Sequence, residues 1–423
     1  MTVYAPFWTE LTPPPSLGRS TLPPTADVAV VGSGVTGLAA ARRLAAAGRE
    51  VVVLETATLG AGASAVNGGM TTYGLKISAR EALARYGERL GRELWQASLD
   101  AVDLVERIVA EERIDCGHTR PGGASLGFRD RDRRDFVEKA AWMEQHVGFP
   151  MEPVAGEDVR TVIGSERFPA ALVDRFSAGC DPARYLYGLA RSATGAGAAL
   201  VEQAEVTAVV KRHAGFELAT SRGWLRAGEV LLATNGYTGT WLPALRRRVV
   251  PIGSYIVTTE PLPPETAARL IPGGRMLWTS RRLLNYFRLT PDNRLLMGGR
   301  QNLSTDLDLA ESARELRKTV VRFFPELKDV PLTHSWTGKL GVTFDQLPHI
   351  GRIDGMWYAL GYSGHGLALG TYLGNEVAGL ITGDLGRSPF AEVDHPTRWY
   401  YRQRPWFLPA AARLYRALDR LGR

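Results

Sequence analysis

Glycines at 32, 34 and 37 stand between a short apolar run, Val28–Val31, and an Ala/Leu-rich stretch that reaches Ala47. At this spacing Gly32 permits a tight turn and Gly34 lets the backbone approach a pyrophosphate. Gly37 lets the following helix pack closely on its strand. The unpaired N–H groups and positive dipole end of that helix then face the phosphates, with the Ser33 and Thr36 hydroxyls in the same turn. Glu55, 18 residues after Gly37, closes a second apolar run, Val51–Leu54. A carboxylate there accepts hydrogen bonds from a ribose diol and repels a 2′-phosphate, so NADP is disfavoured. An isolated G-x-G-x-x-G is weak, but strand, helix, strand and acid in this order mark a dinucleotide-binding βαβ unit.

Two further polar stretches have the residue types that could contact the rest of such a ligand. One is the loop from Gly60 to Gly69, with Ser64, Asn67, Gly68 and Gly69, which is too rich in glycine for a helix interior. The other is Gly361-Tyr362-Ser363-Gly364-His365-Gly366-Leu367, after the apolar run Met356–Leu360 and before an apolar helix to Ile381. Its helix N-terminus could face developing negative charge, or could simply be capped by Ser363. A third apolar run, Val230–Leu232, ends in Ala233, Thr234, Asn235 and Gly236. Only one G-x-G-x-x-G is present, so no separate nicotinamide site is implied. A long, extended ligand touching all of these stretches is FAD, its ADP on residues 32–55 and its isoalloxazine near 361–367.

The elements that must position these residues are legible from periodicity. Helices are expected over 80–113, 131–147, 182–195 and 310–324, the first two as structural packing. Strands are expected over 204–211, 215–221 and 229–234, and alternating strands across 249–300 suggest a twisted antiparallel sheet. The fold class is therefore α/β: a Rossmann-like FAD-binding domain built from discontinuous segments, plus an antiparallel-sheet (α+β) substrate domain. The expected division gives an extended proline-rich arm over 1–26 and a dinucleotide-binding part over 27–80, 150–248 and 340–385. The substrate part takes 81–149 and 249–339, leaving a tail over 386–423 whose segment 410–423, with Leu414, Leu418 and Leu421 on one face, either docks on its own chain or lies on a membrane surface.

With 45% hydrophobic and 22% charged residues, the composition is that of an ordinary globular chain. The net charge of +7 is almost all arginine, and clusters such as 129–134 are laced with aspartate, which reads as solvated helix surface rather than a nucleic-acid patch. The only cysteines, Cys116 and Cys180, offer neither a C-x-x-C nor metal spacing, so no metal site is expected. No apolar stretch is long enough to span a membrane and no leader pattern is visible, so a cytoplasmic protein is expected.

Taken together, these motifs resemble the D-amino-acid-oxidase-like family of FAD-dependent oxidoreductases, near its γ-glutamylputrescine oxidase and sarcosine oxidase-like branch. The resemblance runs through the Tyr4-Ala5-Pro6-Phe7-Trp8 arm, the fingerprint to Glu55, Asn67-Gly68-Gly69, Asp181-Pro182 and Thr234-Asn235-Gly236. It continues through Tyr286-Phe287-Arg288, Gly298-Gly299-Arg300, Trp336-Thr337-Gly338, Pro348-His349-Ile350-Gly351, 361–366 and Pro405-Trp406-Phe407. It implies oxidation of a C–N bond of an amine or amino acid to an imine, with dioxygen reoxidising the flavin to give hydrogen peroxide. The other readings are a dehydrogenase passing electrons to a quinone or protein carrier, and a non-catalytic dinucleotide-binding partner protein. Val206 joins the expected cofactor contacts. His365 and Lys339 are the candidate catalytic residues, and Tyr255, Tyr286, Arg288 and Arg300 the candidate substrate contacts. In relatives the loop reads Ser-Gly-Arg-Asn-Gly-Gly; here Ala65 and Val66 replace Gly-Arg, removing a charged contact near the flavin. No cysteine follows Cys180 and no histidine lies in 60–70, so the FAD is expected to be held without a covalent link.

Overall fold

The computed structural model describes residues 2–18, 21–299, 303–402 and 404–421. Two eight-stranded sheets organise it. In the first, the fingerprint strand Thr25–Val31 is central, parallel to Val51–Leu54 on one side and to Gly223–Leu232 on the other. Ala199–Val201 extends it beyond Val51–Leu54, and Met356–Leu360 lies parallel beyond Gly223–Leu232. The buried apolar runs read from the sequence are these strands, covered on both faces as parallel strands must be.

The second sheet runs Leu332–Thr343, Val249–Thr259, Leu295–Gly299, Asn285–Leu289, Met276–Thr279, Gly123–Gly127, Ala170–Asp174, Glu152–Ala155. It is antiparallel except where Met276–Thr279 meets Gly123–Gly127. Its last three strands depart from expectation. Glu152–Ala155 and Ala170–Asp174 fall in the stretch placed with the dinucleotide-binding part, yet they pair in this sheet. They are short, and Gly123–Gly127 is small-residue and lacks alternation, so none carries a period-2 signal.

The long helix Ala79–Glu111 was expected unbroken and in the substrate part. It is interrupted at Gly87 (φ 78°, ψ 171°), and its Leu94, Ala101, Val105 and Ile108 share one core with Leu369 and Leu373 of the helix Gly366–Thr382. The N-terminal arm is not simply extended: Phe7–Leu11 is one helical turn, with Phe7 and Trp8 buried. At the other end the helix Leu408–Leu421 docks on Ile252 and Tyr401 through Leu408 and Ala412, while Leu414 is exposed. No helix among the described residues is long and apolar enough to cross a membrane.

Candidate active site

The fingerprint turn is built by close approach. A Cβ on Gly37 would lie 2.0 Å from the Gly32 carbonyl oxygen, and Gly32 itself sits at φ +105°. No larger residue fits either position. Ser33 donates to Glu55 Oε2 through both its N–H (3.1 Å) and its hydroxyl (2.6 Å), while Ala57 N–H donates to Oε1 at 3.0 Å. Glu55 is thus fixed, with lone pairs left for a ribose. Ser64 Oγ accepts from Val35 N–H at 3.1 Å, clamping the second loop on the start of the fingerprint helix Val35–Ala46.

That loop is not wholly irregular: Ala63–Val66 forms one helical turn. Two indoles hold it from below, Trp336 donating to the Val66 carbonyl (2.6 Å) and Trp8 to that of Asn67 (2.9 Å). Asn67 Oδ1 accepts from Gly69 N–H at 2.8 Å.

Asn235 Oδ1 accepts from Gly361 N–H at 3.0 Å, tying together the ends of two parallel strands. Thr36 and Tyr362 share a 2.6 Å hydrogen bond between hydroxyls. This places the 361–367 turn against the fingerprint helix, where burial raises the Tyr362 phenol above its ordinary pKa. The helix after the turn begins at Gly366 and has His365 at its N-cap, with no side-chain cap. The Ser363 hydroxyl bonds the Gly361 carbonyl at 3.2 Å, and the N-cap position falls to His365 rather than to Ser363. His365 Nδ1 lies 3.3 Å from Thr72 Oγ1.

These pieces wall one cavity of about 960 Å³. Gly32, Ser33, Gly34, Thr36, Glu55, Ser64, Asn67, Gly68, Thr234, Asn235, Gly364, His365, Gly366 and Leu367 all line it. Lys339 and Tyr286 line it too: Lys339 is exposed, its Nζ 5.6 Å from the Tyr237 ring, and the Tyr286 hydroxyl is 3.1 Å from Ser254 Oγ. Gly37 and Gly69 lie behind the wall, as does Gly361. Val206 packs in the core beneath the first sheet, and Gly236 faces a separate cavity toward the C-terminal helix.

Two expected substrate contacts are elsewhere. Tyr255 points to the opposite face of its strand from Ser254, its hydroxyl donating to the Ser304 carbonyl and accepting from Leu307 N–H. Strand alternation puts Ser254, not its neighbour, in the cavity. Arg288 is buried, with Nη1 donating to the carbonyls of Gly69 (2.6 Å) and Cys180 (3.1 Å) and Nε to that of Leu289. It braces the loop rather than facing the cavity. Arg300 lies outside the described residues.

The residues missed from the sequence form the rest of the wall: Tyr73, Trp95 and Trp278, with Trp142 and Lys139 of the helix Arg131–Val147. That helix reads as surface packing from its periodicity. One signal was available, since three of the six lysines in this arginine-rich chain (Lys76, Lys139 and Lys339) line this cavity.

Residues 27–380 match the family model described as FAD dependent oxidoreductase (DAO). The chain belongs to the DAO family of FAD-dependent oxidoreductases. It is 33% identical to γ-glutamylputrescine oxidoreductase of Escherichia coli over 404 residues, 94% of each chain. It is also 33% identical to the probable oxidoreductase OrdL of Haemophilus influenzae, over 85% of this chain and 83% of that one. Among solved structures, glycine oxidase from Geobacillus kaustophilus superposes with a TM-score of 0.76 at 23% identity, over 88% of this chain and all of that one. The protein is accordingly an FAD enzyme with a Rossmann-like fold and a second, substrate-side sheet. The wall suits the cofactor: a phosphate turn and fixed ribose carboxylate stand at one end, a helix N-terminus at the other, with the Ser64–Gly68 loop between them. Cys116 and Cys180 are buried away from this cavity.

Proposed function

We propose that the protein oxidises the C–N bond of an amine whose reacting group stands at the end of an extended chain. The observation that carries this reading is the single cavity running from Glu55 past His365 to an aromatic chamber lined by both sheets. The resemblance to γ-glutamylputrescine oxidoreductase across 94% of both chains supports it. FAD, when bound, would supply the two-electron acceptor, with dioxygen as the proposed final oxidant. In balance, R–CH2–NH2 and O2 give R–CH=NH and H2O2, and water then releases the aldehyde and ammonia.

Gly32–Thr36 and Glu55 would hold the ADP half, and Ser64, Asn67 and Gly68 the middle. The N-terminus of Gly366–Thr382 would offset negative charge on the pyrimidine side of the ring. Tyr73, Trp95 and Trp278 give the chamber an apolar wall, beside which the neutral, reactive amine is favoured over its ammonium form. Tyr286 and Ser254 form a hydroxyl pair at the chamber's entrance, while His365, bonded to Thr72, stands beside the helix N-terminus. Lys339 presents a cation at the rim, placed to attract reduced oxygen species.

Mixing the FAD-loaded protein anaerobically with a panel of γ-glutamyl amines, diamines, sarcosine and amino acids tests this. Bleaching of the flavin, followed on admission of air by one peroxide per imine equivalent, is the expected result. If none of the panel bleaches the flavin, the reading is wrong. Bleaching without peroxide, with turnover restored only by artificial acceptors, removes dioxygen from it.

A further inference from the structure

Beyond Tyr286 the cavity follows the second sheet outward. Tyr286, Trp278 and Ser125 are register partners on three neighbouring strands, and all three line the cavity. Two strand spacings make this reach roughly 10 Å. The helix Arg131–Val147 lies over its far end, and Asp135, Glu138, Lys139 and Trp142 all line the cavity. Their spacing, i, i+3, i+4 and i+7, is one helical face. A charged helix face normally meets bulk water; this one is turned toward a chamber with aromatic walls.

Lys139 is exposed in this chamber and makes no hydrogen bond or ion pair with any described residue. Asp135 precedes it by four residues, the spacing at which helical ion pairs form, yet the two remain more than 4.0 Å apart. The neighbouring cation Arg80 is stacked over Trp142 at 5.0 Å. An unpaired ammonium beside two carboxylates at the end of a chamber is complementary to a zwitterion.

We propose that this helix face selects the substrate's far end, Lys139 binding a carboxylate and Glu138 with Asp135 binding an adjoining ammonium. The substrate is then a long amine with an α-amino-acid head, of the γ-glutamyl-amine type. This rests on, and narrows, the amine-oxidation reading above. Lys139 is a specificity residue that takes no part in electron transfer.

The test uses the FAD-loaded protein and γ-glutamyl-butylamide, which keeps the amino-acid head but has no terminal amine to oxidise. Its dissociation constant is read from the flavin visible difference spectrum. Lys139→Met is expected to weaken binding at least tenfold, Lys139→Arg much less, and the α-carboxamide analogue should bind both wild type and Lys139→Met equally poorly. Glu138→Gln should reduce the preference for the free α-amine over its N-acetyl form. Thermal midpoint and flavin content report that the variants are folded. Equal affinity of wild type and Lys139→Met for the carboxylate ligand overturns the proposal, as does a wild type indifferent to carboxylate against carboxamide. The outcomes separate from the broader reading. Lys139-dependent binding with no amine bleaching the flavin sinks the oxidation reading alone. Flavin reduction by simple diamines, unaffected by Lys139→Met and matched by γ-glutamyl diamines, sinks this inference alone.

Discussion

Glu55 and Arg288 are both charged residues held by the backbone, and they do opposite work. Glu55 stays on the cavity wall, each oxygen anchored but not saturated by Ser33 and Ala57. Glu55→Gln keeps the shape, loses the charge-assisted acceptors and is expected to weaken FAD binding by about tenfold, or about 1.4 kcal/mol. Fluorescence of flavin released on dilution measures it; unchanged affinity would remove Glu55 from the ribose site. Arg288 instead donates to three backbone carbonyls and does not line the cavity. Its burial disfavours the charge, so the guanidinium is retained for the bonds it makes. Arg288→Met removes three hydrogen bonds, though the Gly69 carbonyl keeps its bond from Cys180 N–H, and is expected to lower stability by about 2 kcal/mol. The KM of the folded fraction should not change. A raised KM with an unshifted denaturation midpoint would return Arg288 to substrate binding.

At the scale of elements, the site depends on how closely Gly366–Thr382 crosses the fingerprint helix. A Cβ on Gly374 would lie 2.2 Å from the Thr36 carbonyl oxygen, and Gly370 faces Val35 and Thr36. This crossing holds the 361–367 turn over the phosphate end, with the Thr36–Tyr362 bond as its latch. Gly374→Ala must push the helices apart, an overpacking cost of about 1–3 kcal/mol. The variant should purify with substoichiometric FAD and a lowered melting temperature; full flavin occupancy would show that the crossing is more pliable than its contacts indicate. The same elements show what the sequence displays and what it conceals. The βαβ unit is legible because strand, glycine turn, helix and acid follow one another within 30 residues. Tyr255 was misread because an aromatic in an alternating strand identifies the strand but not which face is covered. The chamber helix was misread because its charged face has the same pattern whether it meets water or a cavity.

Across the whole molecule the two sheets come together at the cavity, and that assembly is what local sequence patterns describe least. The short strands Glu152–Ala155 and Ala170–Asp174 are recruited across long sequence separations, so no local period announces them. A second junction lies at the C-terminal segment. His395 stacks on His349 at 4.0 Å and contacts Tyr358 of the first sheet and the carbonyl of Arg248, one residue before the second sheet's strand Val249–Thr259. Since a carbonyl only accepts, Nε2 carries the proton toward Arg248, and Nδ1 accepts from the Tyr358 hydroxyl, whose own pKa burial raises. Burial, with His349 and Arg248 adding repulsion, pushes the His395 pKa down to about 2. The unfolded chain protonates this ring near pH 6.5 while the folded one does not, so unfolding takes up a proton between those values. Stability is therefore fully present above about pH 6.5 and falls as pH drops toward 2, by about 2 kcal/mol at pH 5 from this residue alone. His395→Gln is expected to be less stable at pH 8 yet to show a shallower loss between pH 7 and 5. Denaturant unfolding at several pH values gives both slopes; parallel slopes for wild type and variant would mean that His395 is not the group being protonated.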